Sequence, residues 1–167
     1  MKRIHAILVA MMLALGTTTA LAQEIKIGIV NTERVLRESA PAIAAQKRIE
    51  KEFAARDQSL QKMAKQAKDL QADLDKNGAT MSDADRSAKE RDLANLSRDF
   101  QRMQREFRED LNLRKNEELA SVIEKANKVI TSIAQSEKYD LILQEAVYRS
   151  PKIDITDKVI KALANEK

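Results

Sequence analysis

The chain has 167 residues, a formal net charge of +4 and 43% apolar residues, yet only three glycines, two prolines and no cysteine. Its one histidine, His5, lies at the extreme N-terminus, so the remainder cannot assemble a Ser-His-Asp or Cys-His triad, a His/Cys zinc site or a disulfide. So few glycines also exclude a glycine-rich phosphate loop, and no cofactor is expected.

Residues 1–22 read as a secretory signal. Lys2 and Arg3 form the basic start, Ile4 to Leu15 the apolar stretch, and Ala20-Leu21-Ala22 the small-residue cleavage site, with cleavage expected after Ala22. The apolar run is too short for the roughly 20 residues that a membrane span needs. Losing Lys2 and Arg3 turns 30 basic residues into 28 against 26 acidic ones, a net charge of +2. So mild an excess argues against a nucleic-acid partner, and export argues against it further. The chain is expected to be exported to an oxidising compartment, where a chain without cysteine must hold its fold by burial alone.

Residues 23–40 read as the first part of a small body. Ile25, Ile27 and Ile29 alternate in EIKIGIVN as in a strand, and Asn31-Thr32-Glu33 offers a cap for a short helix carrying Val35 and Leu36. Pro41 then suits the first turn of a long helix. Residues 41–135 read as a coiled-coil arm, because no proline interrupts them and their one glycine, Gly78, lies near the middle. Ile49, Phe53, Arg56, Leu60, Met63, Ala67, Leu70 and Leu74 step by four and three, a heptad seam with one polar member. Leu93, Leu96, Phe100, Met103 and Phe107 repeat the rhythm after the glycine. The pattern drifts at Asp110 and Arg114, then recovers through Leu119, Val122, Ala126, Ile130 and Ile133.

Partners across an antiparallel helical hairpin share a constant sum of residue numbers, since both helices rise equally per residue. A sum near 160 pairs Phe53 with Phe107 and Leu60 with Phe100, and it places the tip at residues 77–82. The expectation there is a left-handed cap at Gly78, with Ser82 starting the returning helix.

Residues 136–167 read as the second part of the body. YDLIL (139–143) and AVYR (146–149) suggest a C-terminal strand hairpin, and Asp154 or Thr156 caps a terminal helix with Ile155, Val159, Ile160 and Leu163 on one face. The fold class is thus α+β but mostly α: one N-terminal strand and a C-terminal hairpin form a small β body carrying a long antiparallel helical arm. A body of about 50 residues is marginal alone, so its apolar residues are expected to be shared between copies.

Motifs of catalytic or metal chemistry resolve into plainer features. DLDKNG (73–78) opens like a calcium loop, but Ala84 stands where the bidentate acid belongs, leaving a polar turn and no metal site. Ser59 and Lys62 have the spacing of a Ser-Lys pair but flank the seam on an exposed face. No catalytic residue is therefore assigned. The candidate contact residues are Lys62, Lys65, Lys68, Met81, Arg86, Lys89, Arg91, Arg98, Arg102 and Arg105, a diffuse distal surface suited to weak attraction for acidic clients or lipid headgroups.

In the order of its parts, and in IKIGIVNTERVL near the start and KYDLILQEAVYRSPKIDITDKVIKAL at the end, the chain resembles the Skp/OmpH family of periplasmic chaperones for outer-membrane proteins. The resemblance implies a jellyfish-like homotrimer with a central β body and three arms around a cavity. It implies an ATP-independent holdase for unfolded outer-membrane β-barrel proteins, with lipopolysaccharide or anionic lipid as a candidate further partner. The rival reading is a coiled-coil spacer or adaptor of the cell envelope that binds no client.

Overall fold

The computed structural model describes residues 24–165. The expected signal and its cleavage site after Ala22 lie outside the described residues. Within them the order is β1 (Ile27–Ile29), α1 (Thr32–Glu38), α2 (Ala40–Asn77), α3 (Asp83–Glu137), β2 (Leu141–Leu143) and α4 (Thr156–Asn165).

Three of the four helices begin where a side chain accepts from a free amide of the first turn. Asn31 Oδ1 accepts from the Arg34 amide at 2.9 Å to start α1. Pro41 occupies the first turn of α2 after Ser39, where its missing N–H leaves no intrahelical bond unmade. Ser82 Oγ accepts from the Asp85 amide at 3.1 Å, and Asp83 and Asp85 lie at the positive end of α3. Asp154 Oδ1 accepts from the Thr156 amide at 2.9 Å at the head of α4. Burial raises the Asp154 carboxyl, but the Thr156 and Arg149 hydrogen bonds outweigh it and the net shift is downward.

The body's core is small and built from four elements. Val30, Val35, Ala126, Val129, Ile133, Ile155, Val159 and Leu163 pack together, bringing β1, α1 and α4 against the last turns of α3. The expected face of α4 is the one buried: Ile155, Val159 and Leu163 are at most 5% exposed. The Asn31 amide donates to the Thr156 hydroxyl at 2.9 Å and ties the chain's beginning to its end.

The sheet departs from expectation. β2 pairs parallel with β1, Gly28 opposite Ile142. The other edge of β1 is taken by residues 153–155, through Ile29 N–H to Ile153 O at 2.8 Å and Ile155 N–H to Ile29 O at 2.9 Å. The Ala146–Arg149 segment is not a strand, so the C-terminal hairpin does not form. Residues 144–152 instead carry the chain from β2 to the far edge of β1, where residues 153–155 hydrogen-bond to Ile29. The whole arm serves as the crossover between β1 and β2, and a parallel pair needs such a long connection. Val147 and Tyr148 are left fully and 83% exposed.

The arm is a single hairpin of α2 and α3, and α2 with its 38 residues is about 57 Å long. The Phe53 and Phe107 rings meet edge to face with centroids 5.5 Å apart, as the register requires. The tip is where the expected turn lies, but its backbone differs. Gly78 is right-handed, with φ −57° and ψ −33°, and its N–H donates to Leu74 O at 2.9 Å. Glycine is needed there for close approach, because a Cβ would stand 2.3 Å from the Leu74 carbonyl oxygen. The left-handed residue is instead Lys138, with φ 57° at the end of α3.

Candidate functional site

The polar interruptions of the seam become an ion-pair ladder across the arm's root. Arg48 grips Glu118 through Nε at 3.0 Å and Nη2 at 2.5 Å. Arg114 reaches Glu52 at 3.0 Å and Glu118 at 2.7 Å, and Arg56 meets Asp110 at 2.7 Å. The three cross-helix pairs share one sum of residue numbers, the signature of a common register. Arg56 also lies over the Phe53 ring at 5.7 Å, so charge and aromatic seam interlock.

Glu118 is the centre of this ladder. Its side chain is 7% exposed, and the Arg48 guanidinium, outweighing burial and assisted by Arg114, holds its carboxyl below the usual range. A single buried carboxylate between two arginines fixes helix spacing where the apolar repeat fails. The sequence signalled this only as a drift of the heptad at Asp110 and Arg114.

The candidate contact residues all lie on the distal arm, and they differ in how free their charges are. Lys65 is bound to Asp69 at 2.6 Å, one turn away. Arg102 lies between Asp99 at 3.0 Å and Glu106 at 3.5 Å, and Arg86 lies loosely between Asp83 and Glu90. Lys89 crosses the tip to Asp73, and with Asn77 it holds that carboxyl below its ordinary value. Met81 is half-buried in the turn. Arg91 donates to the Ser87 carbonyl and Arg98 to the Asn95 side chain, so neither is neutralised. Lys62, Lys68 and Arg105 are exposed with no ion-pair partner among the described residues.

Arg91, Arg98 and Arg105 are seven residues apart and project from one face of α3, opposite the seam of Leu96, Phe100, Met103 and Phe107. The positions beside them on that face include Ser87, Ala94, Asn95 and Gln101, and the acid there is Glu109, one turn beyond Arg105. Asp99 and Glu106 lie at the flank and pair along the helix with Arg102. A chain of mild net charge thus presents an outward basic stripe.

Apolar surface is concentrated at the root. A groove of about 500 Å³ runs between α1, α2 and α3, lined by Leu36, Ala42, Ala45, Ile49, Leu119 and Val122. On the body, Ile25, Leu141, Leu143, Val147 and Tyr148 are all at least 40% exposed. Among the described residues no group of His, Cys, Asp and Glu could hold a metal, and no helix is long and apolar enough to cross a membrane.

Comparison with known proteins places this geometry. The family model described as outer membrane protein (OmpH-like) matches residues 26–163. The chain belongs to the OmpH-like family. The chaperone protein Skp of Blochmanniella pennsylvanica is 31% identical over 141 residues, which covers 83% of this chain and 85% of that protein. The chaperone protein Skp of Escherichia coli K12 is 30% identical over 152 residues, 89% of this chain and 91% of its own. A crystal structure of an OmpH-like protein from Caulobacter crescentus CB15 superposes with a TM-score of 0.70 at 19% identity, covering 84% of each chain. The OmpH-like fold therefore includes the long helices and the small sheet seen here, and the family's named relatives are chaperones.

Proposed function

We propose that this chain is an ATP-independent periplasmic holdase that keeps unfolded outer-membrane β-barrel proteins from aggregating. The observation that carries the reading is the arm itself. Between Leu60 and Glu118 it has no fully buried residue, yet its seam residues are partly covered and its outer face is basic. Such a surface offers many weak apolar and electrostatic contacts, whereas a tight site needs a dry, shaped pocket. An unfolded barrel strand exposes alternate apolar side chains and unpaired backbone that aggregate if left bare. Several arms around one such chain would retain it by multivalency, and weak single contacts would permit release without fuel.

The working unit in this reading is a homotrimer with the cavity between its three arms. What supports it is the apolar surface of Leu141, Leu143, Val147 and Tyr148, which nothing in the single chain covers. The Ala146–Arg149 segment, without a strand partner of its own, would pair with a neighbouring copy. The contact surface comprises Lys62, Lys65, Lys68, Met81, Arg86, Lys89, Arg91, Arg98, Arg102 and Arg105, with lipopolysaccharide or anionic lipid as a further ligand of the Arg91–Arg98–Arg105 stripe.

The test is light scattering of a urea-unfolded barrel protein diluted into buffer with and without the chain. Suppression at about one trimer per client is expected for retention by several arms. Unchanged scattering would instead favour an envelope spacer. Sedimentation of the same sample reads the oligomer directly, and a monomer that still suppresses aggregation would refute the three-armed cavity.

A further inference from the structure

We infer that Asn77-Gly78 is a spontaneous modification site at the arm tip, held inactive by the folded tip and released when the tip opens. Asn77 is the one asparagine of the chain followed by glycine, the neighbour that offers least obstruction to attack because it has no Cβ. In the reaction, the Gly78 backbone nitrogen attacks the Asn77 side-chain carbonyl carbon. The carboxamide leaves as ammonia and a five-membered succinimide forms. Water then opens the ring at either carbonyl, giving an aspartate or an isoaspartate at that position. No reactant but water is consumed.

Three features of the tip oppose this attack. The Gly78 N–H is engaged by Leu74 O at 2.9 Å, which orients the nitrogen down the helix axis. The Asn77 carboxamide donates to Asp73 Oδ1 at 2.6 Å, which turns the electrophilic carbon toward the helix side. Asn77 is also the last residue of α2, and the helical ψ of about −42° is far from the angle that brings the two groups together. Asp73 is itself held across the tip by Lys89. Protection thus depends on the whole closure, and reaction requires local opening.

The product would act against reclosure. A carboxylate at position 77 stands one turn from Asp73, a like-charge i,i+4 pair at the negative end of the helix. It would also lose the amide donor that Asp73 now accepts from. An isoaspartate adds a methylene to the backbone and breaks the last turn of α2. One opening event would so be recorded permanently in the place where the two helices join.

Peptide mass spectrometry of the full chain, incubated folded and in urea at the same mildly alkaline pH, tests this. The peptide containing residue 77 should gain one mass unit and release ammonia, at least about tenfold more slowly in the folded chain. Asp73→Ala should speed the folded reaction by about threefold or more, Lys89→Ala should also speed it, and Asn77→Gln should stop it. Equal rates in both states, no reaction in urea, or a folded rate unmoved by both Asp73→Ala and Lys89→Ala would each overturn the inference. Helicity of both variants, read by circular dichroism, separates opening of the tip from loss of the arm.

Discussion

The root and the tip of the arm are made of the same two helices, yet they are held together differently. Along Ala45 to Leu60 on α2, Ala45, Phe53 and Leu60 are buried, and three ion pairs cross from this stretch to Asp110, Arg114 and Glu118 on α3. From Met63 to Leu96 by way of the turn, no side chain is fully buried, and among the described residues Lys89–Asp73 is the charge pair that crosses. The root leans on the body's core, which occludes the sides of the hairpin. Two helices alone can cover only one face of each other. The lesson is that an arm can be anchored stiffly at one end and still yield at the other.

Truncating seam residues breaks this comparison most directly. Phe53→Ala removes a ring that is 6% exposed and its edge-to-face partner contact, and it should lower stability by about 3 kcal/mol. Leu70→Ala in the half-exposed tip should cost about 1 kcal/mol, and urea unfolding followed by circular dichroism compares the two. Equal losses would mean that root and tip are packed alike.

Hydrogen exchange sharpens the same contrast. Amides of residues 62–105 should exchange at least about tenfold faster than those of residues 118–133, since local opening there exposes little buried surface.

Acid should act on the root first through Glu118. Its carboxyl lies below the ordinary value because Arg48 and Arg114 favour the charged form. A group depressed in the folded state contributes fully above its unfolded pKa, about 4.3, and that contribution is lost as pH falls below it. Root stability should therefore drop as pH falls below about 4.3, and Glu118→Gln should be less stable at neutral pH but flatter through that acid range. A variant with the parent's pH profile would remove the ladder from the account.

Two single backbone positions, Gly78 and Lys138, should give effects of opposite sign. Gly78→Ala sets a methyl against the Leu74 carbonyl and should loosen the tip. Lys138→Gly relieves a left-handed residue at the end of α3 and should raise stability by about 0.5–1 kcal/mol. Thermal melts of both variants read the signs.

Much of this was present in the sequence as pattern. The heptad steps from Ile49 to Leu74 and from Leu93 to Phe107 placed both helices, and the constant sum brought Phe53 to Phe107 without any structure, because helical rise is the same for every residue. Asn31, Pro41, Ser82 and Asp154 announced helix starts through their own side chains. Such features are local, and local chemistry is written where it acts.

Other features were settled only by tertiary structure. Whether residues 146–149 form a strand depends on where the chain goes next, and here they carry it from Leu141–Leu143 to the far edge of β1, where residues 153–155 pair. The heptad drift at Asp110 and Arg114 became a ladder only when Arg48, Glu52 and Arg56 stood opposite. The mild charge of the whole chain hid a basic stripe, because pairing at the flanks and exposure of the outer face are properties of the assembled hairpin. Composition and periodicity determine which elements form; which edges, charges and apolar faces remain unsatisfied is decided by what packs beside them.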